Sequence, residues 1–158
     1  MPKPIAPCLW FDRQAEEAAN YYVSVFKNSR ITQVDRFSDS GPDGNSDVVY
    51  VEFEINGQPF AALDGGPLFT FSEAISFVIE CADQAELDYY YDTLVNDGGE
   101  ESQCGWLKDK YGVSWQVVPS ALNEMLRSSD RKRAGQAMSK MLSMQKLNIE
   151  ELQAAYDA

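Results

Sequence analysis

The chain has 158 residues, of which 13 are Lys or Arg and 25 are Asp or Glu, for a formal charge of −12. That length builds one domain or two small modules, and the acidity excludes a general role on nucleic acid, whose phosphates need a basic surface. There is no histidine, which removes Ser-His-Asp and Cys-His catalysis within one chain and every His-ligated metal site.

In chain order, residues 5–11 form a short apolar run after two prolines and read as a strand. Asp12 suits a helix N-cap, and Ala15, Ala18, Ala19, Tyr22, Val23 and Phe26 recur at helical spacing. Residues 31–37 read as a strand, and 38–46, rich in Ser, Gly, Asp and Pro, as a loop. Residues 48–55 alternate, with Val49, Val51, Phe53 and Ile55 on one face, which marks a half-buried strand. Asn56-Gly57 is a hairpin turn, and 59–63 return as a fourth strand ending at Asp64-Gly65-Gly66-Pro67.

After a crossover at Phe69-Thr70-Phe71 the order repeats. Residues 75–81 are a strand, and Asp83 caps a helix with Leu87, Tyr90, Tyr91 and Leu94 inward, stopped by Gly98-Gly99. Strands follow at 100–104, 106–108 and 114–118. The string Gln-Ala-Glu opens both helices, at Gln14 and again at Gln84. Two copies are too few for a solenoid, so a duplicated module that pairs with itself and leaves a pocket between its halves is expected. The tail at 120–158 is helical, with caps at Ser120, Asp130 and Asn148 and a stripe of Ala134, Ala137, Met138, Met141 and Leu142.

The cysteines Cys8, Cys81 and Cys104 are widely spaced and odd in number, so neither a disulfide framework nor a zinc ribbon is indicated. No apolar run is long enough to span a bilayer, and the first residues show no basic segment followed by an apolar core, so no secretory signal is expected. A cytoplasmic protein without membrane contact is expected.

A βαβββ module used twice resembles the vicinal oxygen chelate superfamily of glyoxalases, bleomycin-resistance proteins and dioxygenases. The strings Leu9-Trp10-Phe11-Asp12, Asn56-Gly57-Gln58, Leu63-Asp64-Gly65-Gly66-Pro67, Cys104-Gly105-Trp106-Leu107-Lys108-Asp109 and Gly112-Val113-Ser114-Trp115-Gln116 resemble its PhnB-like branch. So does the run from Phe69 to Phe77. That branch is often labelled 3-demethylubiquinone-9 3-methyltransferase. The resemblance implies an α+β fold of two paired βαβββ modules, 5–66 and 75–119, within one domain over 1–119. The helical extension 120–158 would pack on that domain or on a dimer partner. It also implies a homodimer, and it puts the superfamily's metal-ligand places near Pro7, Asp64, Ala74 and Gln116. Only Asp64 and, weakly, Gln116 offer a donor, so no metal and no cofactor are expected. No glycine-rich strand-to-helix turn provides for an adenosyl cofactor either.

In such a fold each sheet packs helices on one face and lines the pocket with the other. Alternation then puts Ser76 and Val78, Ser114 and Gln116, and the trio Phe60, Ala62 and Asp64 toward the pocket, with Phe77, Ile79, Trp115 and Val117 toward the helix. Asp64 reads either as a general base or anchor for a cationic group, or as a turn carboxylate. Cys104 reads as a nucleophile or an inert thiol, and Trp106 as a stacking platform or core. The expected function is metal-independent binding of an unidentified small molecule. The alternative is a metal-independent enzyme with Asp64 as base.

Overall fold

The computed structural model describes residues 1–41, 43, 44 and 46–158. The chain divides into two compact units, Met1–Phe71 and Ser72–Ala158. Each carries one four-stranded mixed sheet, so the α+β fold of two βαβββ modules is observed.

The first unit runs β1 (Cys8–Phe11), α1 (Ala15–Val25), β2 (Ser29–Phe37), β3 (Val48–Ile55) and β4 (Gln58–Asp64). Its sheet has the order β1-β4-β3-β2, with β1 and β4 parallel and the other pairs antiparallel. The β3–β4 hairpin turns on Asn56 and Gly57, both at positive φ (48° and 81°), as this dipeptide favours. Helix α1 buries Ala15, Ala18, Ala19, Tyr22 and Val25. Small residues in its first turns let it lie close to the sheet, and Tyr22 then stacks on Phe53, which stacks on Phe60, at 6.2 and 5.5 Å between ring centres. Each aromatic ring buried this way contributes roughly 1.5–3 kcal/mol.

Helix α1 departs from the expected start. Asp12 is not its cap: Gln14 holds that position and makes no side-chain bond to the helix. The free amide of Ala15 is met instead by Asp64 Oδ1, at 2.9 Å, from the end of β4. Val25, rather than Val23, completes the buried stripe.

The second unit runs β5 (Phe77–Cys81), α2 (Gln84–Asn96), β6 (Glu100–Glu101), β7 (Trp106–Lys108) and β8 (Ser114–Pro119), in the sheet order β5-β8-β7-β6. Asp83 caps α2 through the Glu86 amide. Strand β6 is shorter than expected, because 102–105 leave the sheet to meet the tail: the amides of Cys104 and Gly105 donate to the carbonyls of Met144 and Gln145.

The tail forms α3 (Ser120–Leu126), α4 (Arg131–Leu142) and α5 (Ile149–Asp157) and belongs to this second unit. Asp130 and Asn148 cap α4 and α5 as expected, whereas Ser120 is the first residue of α3 and Pro119 precedes it without a side-chain cap. Gln84 clamps the tail at both ends of its amide, donating to the Leu147 carbonyl and accepting from the Ile149 amide. Of the expected α4 stripe, Ala134 and Ala137 are buried, while Met138 and Leu142 are exposed. No helix among the described residues is long and apolar enough to cross a membrane.

Candidate functional site

In the second unit the strand alternation sorts side chains cleanly. Register pairs Phe77 with Trp115 and Ile79 with Val117, and Leu107 also faces Trp115. Leu107, Trp115 and Val117 are at most 3% exposed, as are Leu87, Tyr91 and Leu94 of α2, so this is the helix-covered face. Ser76, Val78, Trp106, Lys108, Ser114 and Gln116 share the opposite side. Val78 is 58% exposed there.

Gln116 Nε2 donates to Ser76 Oγ at 2.8 Å, forming a polar pair across β8 and the start of β5. Ser114, one pleat along β8, is 2% exposed and its Oγ has no hydrogen-bond partner. Lys108 forms an ion pair with Glu73. The hydrogen bond between them raises the Lys108 pKa and lowers that of Glu73, so both stay charged. Lys108 and Glu73 were not among the residues expected here. Parity with Trp106 on β7 was the available signal for Lys108.

The site is braced from the covered side by Asp109. This carboxylate is 3% exposed and accepts three hydrogen bonds, from the amides of Tyr111 and Val113 and from Trp115 Nε1, at 2.8, 3.1 and 2.9 Å. Trp115 is thereby fixed in the core, and its neighbours Ser114 and Gln116 are turned to the other face. Cys104 lies outside the strands, at φ 59°, with its backbone docked on the tail. Cys81 is fully buried, and burial pushes its thiol up to about 12.

The first unit differs from expectation in one respect. Phe60, Ala62 and Asp64 do share a side, but it is the side of α1. Phe60 sits opposite Phe53 and Ala62 opposite Val51, and these four are at most 7% exposed. Phe60 and Ala62 are therefore core, and Asp64 serves the helix start. Asp64 also lines a cleft of about 330 Å³ with Asp12, Arg13 and Asp43. On the other side of β1, Trp10 lies against Gly65 and donates from Nε1 to the Gly66 carbonyl at 2.9 Å.

The places where the resemblance led metal ligands to be sought offer few donors. Pro7 and Ala74 have none in their side chains and Asp64 Oδ1 is engaged by the Ala15 amide, which leaves Asp64 Oδ2 and Gln116 Oε1 as the side-chain donors at these four places. Among the described residues no three or more Cys, Asp and Glu side chains gather to hold a metal. These residues do not fit a chelated metal ion.

A family model described as 3-demethylubiquinone-9 3-methyltransferase matches residues 3–118. The chain belongs to that family. A PhnB protein from Bacillus cereus is similar at 35% identity over 74% of this chain and 99% of that chain, with a TM-score of 0.66. A glyoxylase/bleomycin resistance protein/dioxygenase domain from Frankia sp. EAN1pec has the same fold, at 11% identity over 73% of this chain and 94% of that chain, with a TM-score of 0.51. The fosfomycin resistance protein FosX from Listeria monocytogenes has the same fold at 17% identity, covering 73% of this chain and 91% of that chain, with a TM-score of 0.50. No curated protein matches the chain. The strings that carry this PhnB-like kinship have structural work in this chain: Asp64-Gly65-Gly66 joins the helix start to Trp10, and Asp109 holds Trp115.

Proposed function

We propose that this PhnB-like protein binds a small molecule on the uncovered face of its second sheet, without a metal. The Gln116–Ser76 hydrogen bond carries the reading. A half-exposed amide and hydroxyl, held at 2.8 Å on a rigid strand pair, are suited to orient a ligand. Val78 and Trp106 beside them supply apolar and aromatic contact. Metal independence is supported by the donor set at Pro7, Asp64, Ala74 and Gln116.

The methyltransferase label draws no support from the helix starts. Asp64 occupies the start of α1 and Asp83 that of α2, and neither follows a glycine-rich turn that would cradle a cofactor phosphate or carboxylate. An enzyme using Asp64 as general base has one supporting observation, its place in the cleft with Asp12 and Arg13. That reading asks one carboxylate both to hold a helix and to move a proton. A cytoplasmic homodimer completes the proposal. Leu68 and Phe69 in the first unit, and Ile75 in the second, are at least 59% exposed and are suited to cover by a second copy.

A thermal-shift screen of metabolites, with and without EDTA, tests this. The expected hit raises Tm equally in both conditions, and Gln116→Ala removes the shift without changing the unliganded Tm by more than about 2 °C. Tight nickel, zinc or iron binding by calorimetry overturns metal independence. Turnover of a bound ligand that Asp64→Asn abolishes, with binding retained, selects the enzyme.

A further inference from the structure

The uncovered face deepens toward the β6 edge into a pocket of about 170 Å³. Ser114 forms part of its wall, and the Ser114 hydroxyl is buried there without a partner. An unpaired buried hydroxyl costs about 1–3 kcal/mol, which a ligand supplying the missing hydrogen bond would recover. The wall also carries Glu73, Glu100 and Glu101 against one cation, Lys108. Glu73 and Lys108 neutralise one another through their ion pair. Glu100 lies opposite Lys108 in the strand register, on the same face, and among the described residues no cation forms an ion pair with Glu100 or Glu101. Trp106 contributes a ring to the same wall.

We propose that this pocket receives the ammonium group of an organic amine, with Glu100 as its counter-charge, Ser114 Oγ as a hydrogen-bond acceptor and Trp106 as an aromatic wall. The inference rests on the reading of this face as a ligand site and adds the chemical class of the ligand. Three features select a cation. Glu73 and Glu100 beside the single ammonium of Lys108 leave this face of the pocket short of positive charge and repel an anion. A primary ammonium has three donors, enough for a carboxylate and a hydroxyl together. An indole ring beside them attracts a cation placed over its face. The volume is below the 300–1,000 Å³ typical of whole-ligand pockets, so it takes the charged head of a molecule whose remainder lies along Val78 and Gln116.

The test uses the full chain and three probes with one ring and different charge: benzylamine, benzyl alcohol and benzoate, titrated by NMR at pH 7.5. Benzylamine is expected to saturate, with benzyl alcohol at least about tenfold weaker and benzoate without effect, as loss of a charge-assisted hydrogen bond implies. Glu100→Gln should weaken benzylamine about tenfold and Ser114→Ala about threefold to tenfold, with Glu100→Gln melting like the parent and Ser114→Ala at or above it, since the unpaired hydroxyl is gone. Benzyl alcohol or benzoate binding as tightly as benzylamine, no benzylamine binding, or an undiminished affinity in Glu100→Gln overturns the inference. A neutral or anionic probe that binds and is lost in Gln116→Ala would leave the small-molecule reading standing while the amine is rejected. If no probe binds and the metabolite screen is also empty, both fall.

Discussion

Asp64, the last residue of β4, accepts a hydrogen bond from the backbone amide of Ala15, the first residue of α1, at 2.9 Å across 49 positions of sequence. A cap normally comes from the residue next to the helix. Here it comes from a neighbouring strand and ties the helix to the sheet that it covers. Asp64→Ala should therefore destabilise the protein by about 1–2 kcal/mol, and Asp64→Asn, which keeps an acceptor oxygen, by about half that or less. Urea unfolding midpoints check this. An unchanged midpoint in Asp64→Ala would mean that the contact does not hold the helix.

Asp109 is the more severe case. Its removal in Asp109→Ala takes the acceptor from Trp115 Nε1, from the buried Val113 amide and from the part-buried Tyr111 amide at once. A loss of about 3–5 kcal/mol is expected, enough to leave little folded protein at 37 °C. Asp109→Asn keeps two acceptor lone pairs but presents an amide donor to one of three donors, and should fall between parent and Asp109→Ala. Far-UV circular dichroism against urea gives the order.

Gly65 has no room for a side chain. A Cβ there would lie 2.3 Å from the Trp10 ring. Gly65→Ala is expected to displace that ring, break its bond to the Gly66 carbonyl and cost about 1–3 kcal/mol. Gly57→Ala is its control, for a Cβ at Gly57 meets nothing within 4 Å and only the positive φ of 81° opposes it. Thermal melting of the two variants, with Trp fluorescence reporting the ring, separates packing from backbone strain.

The tail should loosen in acid. Asp88 has its pKa held below the usual carboxylate range, first by the Gln84 amide and then by Lys146. Burial pulls the Lys146 pKa down, but Asp88 and Asp92 outweigh it and leave it raised. A depressed carboxylate pKa gives stability that is full above the unfolded value, about 3.9, and is lost as pH falls through the folded value. Lys146 keeps its charge throughout that window, so Asp88 sets the loss. Hydrogen exchange at the amides of Cys104, Gly105 and Ile149, which anchor the tail, should rise relative to the core of β8 when pH falls from 5 to 3. Unchanged relative protection would show that the Lys146 pairs contribute nothing to docking.

The order of elements was legible because both signals of period and punctuation were strong: the alternation in 48–55, the Asn56-Gly57 turn, and the Asp83 cap. The sidedness of the second sheet was legible too, since Ser114 and Gln116 alternate with Trp115 and Val117 and only one set belongs under a helix. The first sheet gave no such contrast. Phe60-Ala61-Ala62-Leu63 is apolar at every position, so alternation showed that Phe60, Ala62 and Asp64 share a side without showing which side. The pairing of Phe53 with Phe60, a tertiary fact, decides it. The Lys108–Glu73 ion pair was hidden for another reason, because it joins a strand to the crossover segment and follows no local spacing. The same holds for the tail contacts of Cys104.

The central claim is that a ligand sits on the uncovered face of the second sheet and needs no metal. It is tested most directly by calorimetry of a ligand from the screen, in EDTA, against the parent and Gln116→Ala. The expected result is the same affinity with and without EDTA and a loss of about tenfold in Gln116→Ala, the cost of one well-placed hydrogen bond with its partner left behind. Binding that vanishes in EDTA, or that is untouched by Gln116→Ala, would contradict it.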